Sequence, residues 1–239
     1  MALIQINMYS SALTTATAVN VVIPLENNEK EKYPVLWLLP PSGLDHTAWQ
    51  RRVRVERLAE KYGIIAAMPN LALSYGLDMA HGLKYFTMLD RELPALLKEY
   101  FPVDLTRQYI AGAGEGGYAA LRTALLSPEH YKGALSLSCG SLTDEIFEDE
   151  ERKRQILNAF GTRNIGTCGG TDFDLGHLMD REEKAPELFL AYGDGDPLEK
   201  SCALLAARME AECVKKLHGP ASWEEWEEAL DWFMRKVFL

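Results

Sequence analysis

Five short, predominantly apolar runs, each flanked by a stretch of helical period, constrain this chain more than any other feature. They fall at residues 34–39, 63–68, 108–111, 133–137 and 187–191. A strand that is apolar along its whole length has to be covered on both faces, and crossover helices on a parallel sheet supply that cover. Helical periods at 48–61, 84–100, 116–126, 198–212 and 222–238 alternate with the runs. Residues 1–8 and 17–24 alternate apolar and polar instead, as the two arms of an antiparallel hairpin do. The expected fold class is α/β: a mostly parallel, doubly wound sheet with an N-terminal antiparallel hairpin. One domain over residues 1–239 is the simplest division of a chain this long. Residues 140–185 are rich in charge, contain Gly161, Gly166, Gly169 and Gly170, and have poor periodicity apart from a short helical stretch at 150–159. They read as a lid or variable insertion.

A formal net charge of −10 disfavours phosphate backbones and anionic lipid, so neither nucleic acid nor a membrane is expected as a partner. Arg51, Arg52 and Arg54 form a basic run that reads as a solvated helix face. Cys139, Cys168, Cys202 and Cys213 have neither metal-site nor disulfide-framework spacing, and they read as reduced, mostly buried thiols. No cluster of His, Cys, Asp and Glu has metal-ligand spacing, and no cofactor is expected. The first eight residues lack a basic start, a long apolar run and a cleavage site, and nothing later approaches about 18 apolar residues. A cytoplasmic location is expected.

The segment Gly112, Ala113, Gly114, Glu115, Gly116, Gly117 follows a strand and opens a helix. It satisfies the dinucleotide fingerprint G-x-G-x-x-G, but that motif needs an acid at the end of the next strand to hold a ribose hydroxyl. The next strand ends Leu137, Ser138, Cys139, Gly140, with no acid. A second motif shares the strand-turn-helix setting. In the nucleophile elbow G-x-S-x-G, a tight turn lifts the central residue above the sheet and points backbone N–H groups at an acyl oxygen. The frame here is Gly112 to Gly116, with glycine at its centre.

With these residues the chain resembles the esterase D group of α/β-hydrolases, in particular its tributyrin esterase and S-formylglutathione hydrolase branch. The resemblance runs through residues 33–39, 45–49, 56–63, 78–81, 84–86, 92–94, 110–112 and 116–118. It implies an α/β-hydrolase fold, a pocket suited to a short acyl ester or related small molecule, and a homo-oligomeric habit. It also implies a serine nucleophile at the position of Gly114, an acid at Asp196 and a histidine base at the position of Ala221, just before Trp223. The family's first buried strand runs into His-Gly-x-x-Gly, whose backbone helps form the oxyanion hole; the same place here reads Pro40, Pro41, Ser42, Gly43, Leu44. By this resemblance only the acid is retained.

The oxyanion and pocket candidates are Ser42, Glu115, His46, His81, Trp49 and Tyr118. Glu115 reads either as an acid in the first turn of a helix, favoured by the dipole, or as a carboxylate turned toward the oxyanion site. Rerouted chemistry would fall to His218 or Ser222, although Ser222 with Glu225 three residues on makes a capping box. Asp196 followed by Pro197 fits a helix N-cap with proline at the first helical position. Three function classes remain open: a non-catalytic homologue that binds a ligand or partner, an esterase working through rerouted residues, and a structural or oligomerising domain.

Overall fold

The computed structural model describes residues 1–24, 31–181 and 185–239. The expected hairpin is formed by β1 (Ala2–Ser10) and β2 (Thr15–Ile23), paired antiparallel with Leu3 opposite Val22. The predominantly apolar runs become β3 (Tyr33–Leu39), β4 (Ile65–Pro69), β5 (Val103–Ala113), β6 (Tyr131–Leu137) and β7 (Glu187–Tyr192). A short strand, β8 (Val214–Lys216), closes the far edge. Among the described residues the eight strands form one sheet in the order β1-β2-β4-β3-β5-β6-β7-β8, parallel from β4 onward, with β2 antiparallel to β4.

Alternation along β3 explains why the run is apolar throughout. Val35, Trp37 and Leu39 point into one buried cluster and Leu36 and Leu38 into the other, so both sheet faces are covered. The helices are α1 (Ala48–Arg52), α2 (Val55–Tyr62), α3 (Tyr85–Thr87), α4 (Leu93–Tyr100), α5 (Glu115–Leu126), α6 (Glu150–Phe160), α7 (Leu175–Arg181), α8 (Glu199–Ala206) and α9 (Trp223–Phe238). The residues of α2 and α9 fill one cluster, whereas those of α4, α5, α6 and α7 fill the other.

Several elements depart from the sequence reading for local reasons. The 48–61 period breaks in two because Val53 is extended, with φ −126° and ψ 147°. The 84–100 period passes through a π-helical turn at Met88–Glu92 just before Pro94, which has no N–H to give to an i−4 carbonyl. The 198–212 period shortens to α8, and Asp196 is not its N-cap; Leu198 holds that position.

Over the part described, residues 140–185 pack onto the sheet and α5. Besides α6 they contain α7 and two 3₁₀ turns, and they bury Ile156, Phe160, Ile165, Leu175 and Leu178 in the main core. Residues 182–184, the end of that segment, lie outside the described residues. Backbone carbonyls of the segment bind α5 directly: Tyr118 Oη donates to Phe173 O at 2.8 Å and Arg122 Nε to Asp172 O at 2.8 Å. The arginines of 51–54 are exposed, as a solvated face requires. Among the described residues no helix is long and apolar enough to cross a membrane.

Candidate functional site

Open parallel sheets build sites at the carboxyl ends of their strands, where loops leave for the crossover helices. The turn from β5 into α5 is one such place, and Gly114 stands at its apex with φ 54° and ψ −131°. That backbone conformation is strained for an L-residue, and glycine adopts it freely. The turn is tight. A Cβ on Gly112 would run into the carbonyl of Gly116, and one on Gly116 into the carbonyl of Pro40. A Cβ on Gly114 would meet only Pro41 Cβ, at 3.5 Å. The outer glycines are thus fixed by close approach, whereas the apex has room for a side chain. The N–H of Gly114 donates to Leu137 O at 2.8 Å and the N–H of Ser138 to Ala191 O at 2.8 Å, linking the ends of β5, β6 and β7.

Beside the turn lies a narrow cleft, open to solvent, lined by Pro40, Ser42, Leu71, Ala72, Tyr75, Gly76, Glu115, Gly116 and Ala119. Glu115 turns its carboxylate toward it: Oε2 accepts from the Ser42 N–H at 3.3 Å, while Oε1 pairs with Nη2 of Arg152. Glu115 is also the acid of the first turn of α5. Arg152 comes from α6 and lies over two aromatic rings, with Cζ 5.4 Å from the Tyr75 centroid and 4.9 Å from that of Phe147. Burial opposes the guanidinium charge, but Glu115 and the other facing groups outweigh it and hold Arg152 above its ordinary pKa. Burial pushes the Tyr75 phenol up to about 12, against the opposing Arg152 charge. Tyr75 is buried, yet its hydroxyl has no hydrogen-bond partner among the described residues, and neither has Arg152 Nε. No sequence signal marked Arg152 or Tyr75, because neither belongs to a motif and they meet only when α6 folds over the sheet.

Asp196 follows β7 and is buried, with Oδ2 accepting from the Gly193 N–H at 3.0 Å and Oδ1 from the Ala221 N–H. The Ala221 turn also reaches toward the β3 loop: Trp223 packs edge-on to Trp49 with centroids 5.4 Å apart, and Trp49 Nε1 donates to Leu39 O at 2.9 Å. The loops after β3, β5 and β7 thereby face one another over the sheet.

The remaining expected residues are placed elsewhere. Trp49 and Tyr118 are core residues and do not line the cleft; Tyr118 is fully buried on α5 and spends its hydroxyl on Phe173. Their large apolar area gains more from burial than from a pocket rim. His46 is half-buried with Nε2 3.4 Å from Gln5 Nε2, and exposed His81 binds through its backbone N–H to Asn158 O at 2.8 Å; neither lines the cleft. His218 is exposed, and its backbone N–H donates to Glu225 Oε2 at 3.1 Å. Ser222 caps α9, accepting from Glu225 N–H at 3.2 Å. Only half of the capping box forms, because the Glu225 carboxylate is turned to His218. The four cysteines are free, three of them buried, and burial raises the pKa of each. Among the described residues no three His, Cys, Asp or Glu side chains gather as a metal site would need.

The family model Esterase, described as "Putative esterase", matches residues 80–235. An acetyl esterase of Caldicellulosiruptor saccharolyticus is 25% identical over 268 aligned positions, covering 99% of each chain. Among solved structures, the fluorophosphonate-binding serine hydrolase FphF of Staphylococcus aureus superposes with a TM-score of 0.82 at 22% identity, covering 100% of this chain and 98% of that one. S-formylglutathione hydrolase FrmB of the same organism gives 0.79 at 23% identity, covering 100% and 99%. At these identities the two structures speak for the fold, and the matching family model covers well over half of the sequence. The chain belongs to the Esterase family and has the α/β-hydrolase fold.

Proposed function

We propose that this esterase-family protein does not hydrolyse esters by the serine route and that its cleft serves to bind a small ligand. The route needs an oxygen nucleophile, a base to take its proton and an acid to orient the base. Glycine at 114 offers no oxygen and alanine at 221 no imidazole. The observation that carries the reading is the set of partners of Asp196: its carboxylate accepts from the backbone N–H groups of Gly193 and Ala221, and among the described residues no histidine side chain is bonded to it. Each oxygen keeps a free lone pair, but the acid has no base to orient. Loss of nucleophile or base costs about 10⁶-fold in kcat in a measured serine hydrolase, which is sufficient to silence the inherited reaction.

Glu115 supports the same reading. Its carboxylate accepts from the Ser42 N–H, a donor of the loop that in related hydrolases would face a developing oxyanion. A fixed negative charge there opposes the charge that ester hydrolysis builds. Neither His218 nor Ser222 offers a replacement: one is exposed and the other caps a helix.

The test is hydrolysis of p-nitrophenyl acetate and butyrate by the purified protein beside a Gly114→Ala control. Equal, background rates are expected. A clear excess in the unsubstituted protein would overturn the proposal, and loss of that excess in Ser42→Ala, His218→Ala or Ser222→Ala would identify the residue responsible.

A further inference from the structure

The sheet has two edges, and they are built differently. At the far edge β8 is three residues long and carries Lys215 and Lys216, the short, lysine-bearing form that keeps a strand from pairing with another chain. At the near edge β1 runs for nine residues, in unbroken register with β2 from Ala2 opposite Ile23 to Ser10 opposite Thr15. It contains no charged residue and no proline. Among the described residues only β2 pairs with it. An edge strand of this kind offers a row of backbone N–H and C=O groups along its outer side. Charge is missing beyond the strand as well: although 25% of the chain's residues are charged, the first charged side chain is Glu26. Two copies with a net charge of −10 each repel one another, but β1 against β1 brings no like charges together.

The order of residues along β1 shows which strand fits it. Counting outward from Ile6, Gln5 matches Asn7, Ile4 matches Met8, Leu3 matches Tyr9 and Ala2 matches Ser10. A second β1 laid antiparallel about a two-fold axis at Ile6 therefore sets amide opposite amide, aliphatic chain opposite thioether, and leucine opposite tyrosine. Such cross-strand pairs are what stabilises a sheet. They also fall on suitable faces. Ile4, Ile6 and Met8 are half-buried against the main core, and the same residues of a second copy would extend that apolar stripe. On the other face Gln5 and Asn7 are exposed, as are Leu3 at 40% and Tyr9 at 68%. Each Leu3 would be covered by Tyr9 of the second copy. We propose that the protein is a homodimer joined through β1, its two eight-stranded sheets continuing into one across antiparallel strands centred on Ile6. This fixes a surface and a register, which self-association alone does not. The assembly closes at two, because each copy has one such edge and guards the other. None of the residues lining the cleft lies in β1, so the interface stands apart from whatever the cleft does.

The experiment is sedimentation velocity and light scattering of the full chain over a dilution series, which should give twice the chain mass, falling to the monomer on dilution. Gln5→Lys with Asn7→Lys places lysine opposite lysine at both amide pairs and should weaken the dimer at least about tenfold. Gln5→Lys with Asn7→Glu places lysine opposite glutamate in this register and should hold the dimer at least as tightly as the parent. Both positions are exposed, and circular dichroism checks the fold. Hydrogen exchange of the unsubstituted protein needs no variant: the outward amides of β1 should be protected in the dimer and lose that protection on dilution. The proposal is overturned if the parent is monomeric at about 100 μM, or if it assembles while its outward β1 amides exchange as in the monomer. It is equally overturned if a folded lysine–lysine variant keeps the parent's mass, which places the interface elsewhere, or if the lysine–glutamate variant dissociates as readily as the lysine–lysine one.

Discussion

The amide of Ala221 donates its hydrogen to Oδ1 of Asp196, so the carboxylate after β7 is anchored by the backbone of the last turn before α9. The contact brings the chain at 221 within one side chain's reach of the acid. An imidazole introduced at 221 would start from a backbone already docked on its orienting carboxylate.

Recovery of hydrolysis is therefore expected from the pair Gly114→Ser and Ala221→His. Gly114→Ser alone should give little, since a hydroxyl at its free pKa is a poor nucleophile, and Ala221→His alone should give nothing. The double variant should turn over p-nitrophenyl butyrate measurably and non-additively, as residues acting as a unit do. Adding Glu115→Gln should raise kcat further by about tenfold or more, because it removes a fixed anion from the Ser42 N–H. A folded, silent triple variant would show that the loop at Pro40 and Pro41 no longer aligns an acyl group with the new serine.

Stability should respond in the opposite direction at the same position. Gly114 sits at φ 54° and ψ −131° with nothing closer than Pro41 Cβ, 3.5 Å from a built Cβ. Gly114→Ala should thus cost about 1–3 kcal/mol through backbone strain alone. Gly116→Ala should cost more, since its Cβ would collide with the Pro40 carbonyl. Thermal unfolding of the two variants checks the order, and equal losses would contradict it.

Ser222 gives a prediction that separates capping from chemistry. Its side chain accepts from the Glu225 N–H at 3.2 Å. Ser222→Ala should lower stability by about 1 kcal/mol and Ser222→Asp should restore most of it, with ester hydrolysis unchanged throughout. A loss of activity that Asp does not rescue would make Ser222 something other than a cap.

A pH-dependent contribution is expected where α2 meets α9. Burial alone would raise the pKa of Asp231, but hydrogen bonds from Lys61, Tyr62 and Arg235 outweigh it and hold the carboxyl below its ordinary value. A carboxylate depressed in the folded state adds stability above its unfolded pKa of about 3.9, and that stability is lost as pH falls through the folded value. The melting temperature of Asp231→Asn should lie below that of the parent at pH 7. The gap should close progressively below about pH 4, and a gap independent of pH would refute this assignment.

The sequence by itself determined the sheet, because a run such as 33–39 can bury both faces only in a covered parallel strand, and the hairpin follows from the alternation of Ile4, Gln5, Ile6, Asn7 and Met8 in β1. It also determined the glycine frame of the β5–α5 turn, since Gly112 and Gly116 are required by backbone contacts local to that turn. Weak local signals hid other elements: β8 is three half-polar residues at a sheet edge, and Asp196 followed by Pro197 imitates an N-cap that the chain does not form. The arrangement of the cleft was decided by tertiary structure alone. Ser42, Tyr75, Glu115 and Arg152 come from four separate stretches, and no spacing relates them. They meet because α6 packs over α5 through the core, which sets the Arg152 guanidinium between Tyr75 and Phe147 and brings it onto the Glu115 carboxylate. Ala221 meets Asp196 for a similar reason, through a backbone amide that has no sequence signature because every residue but proline carries one.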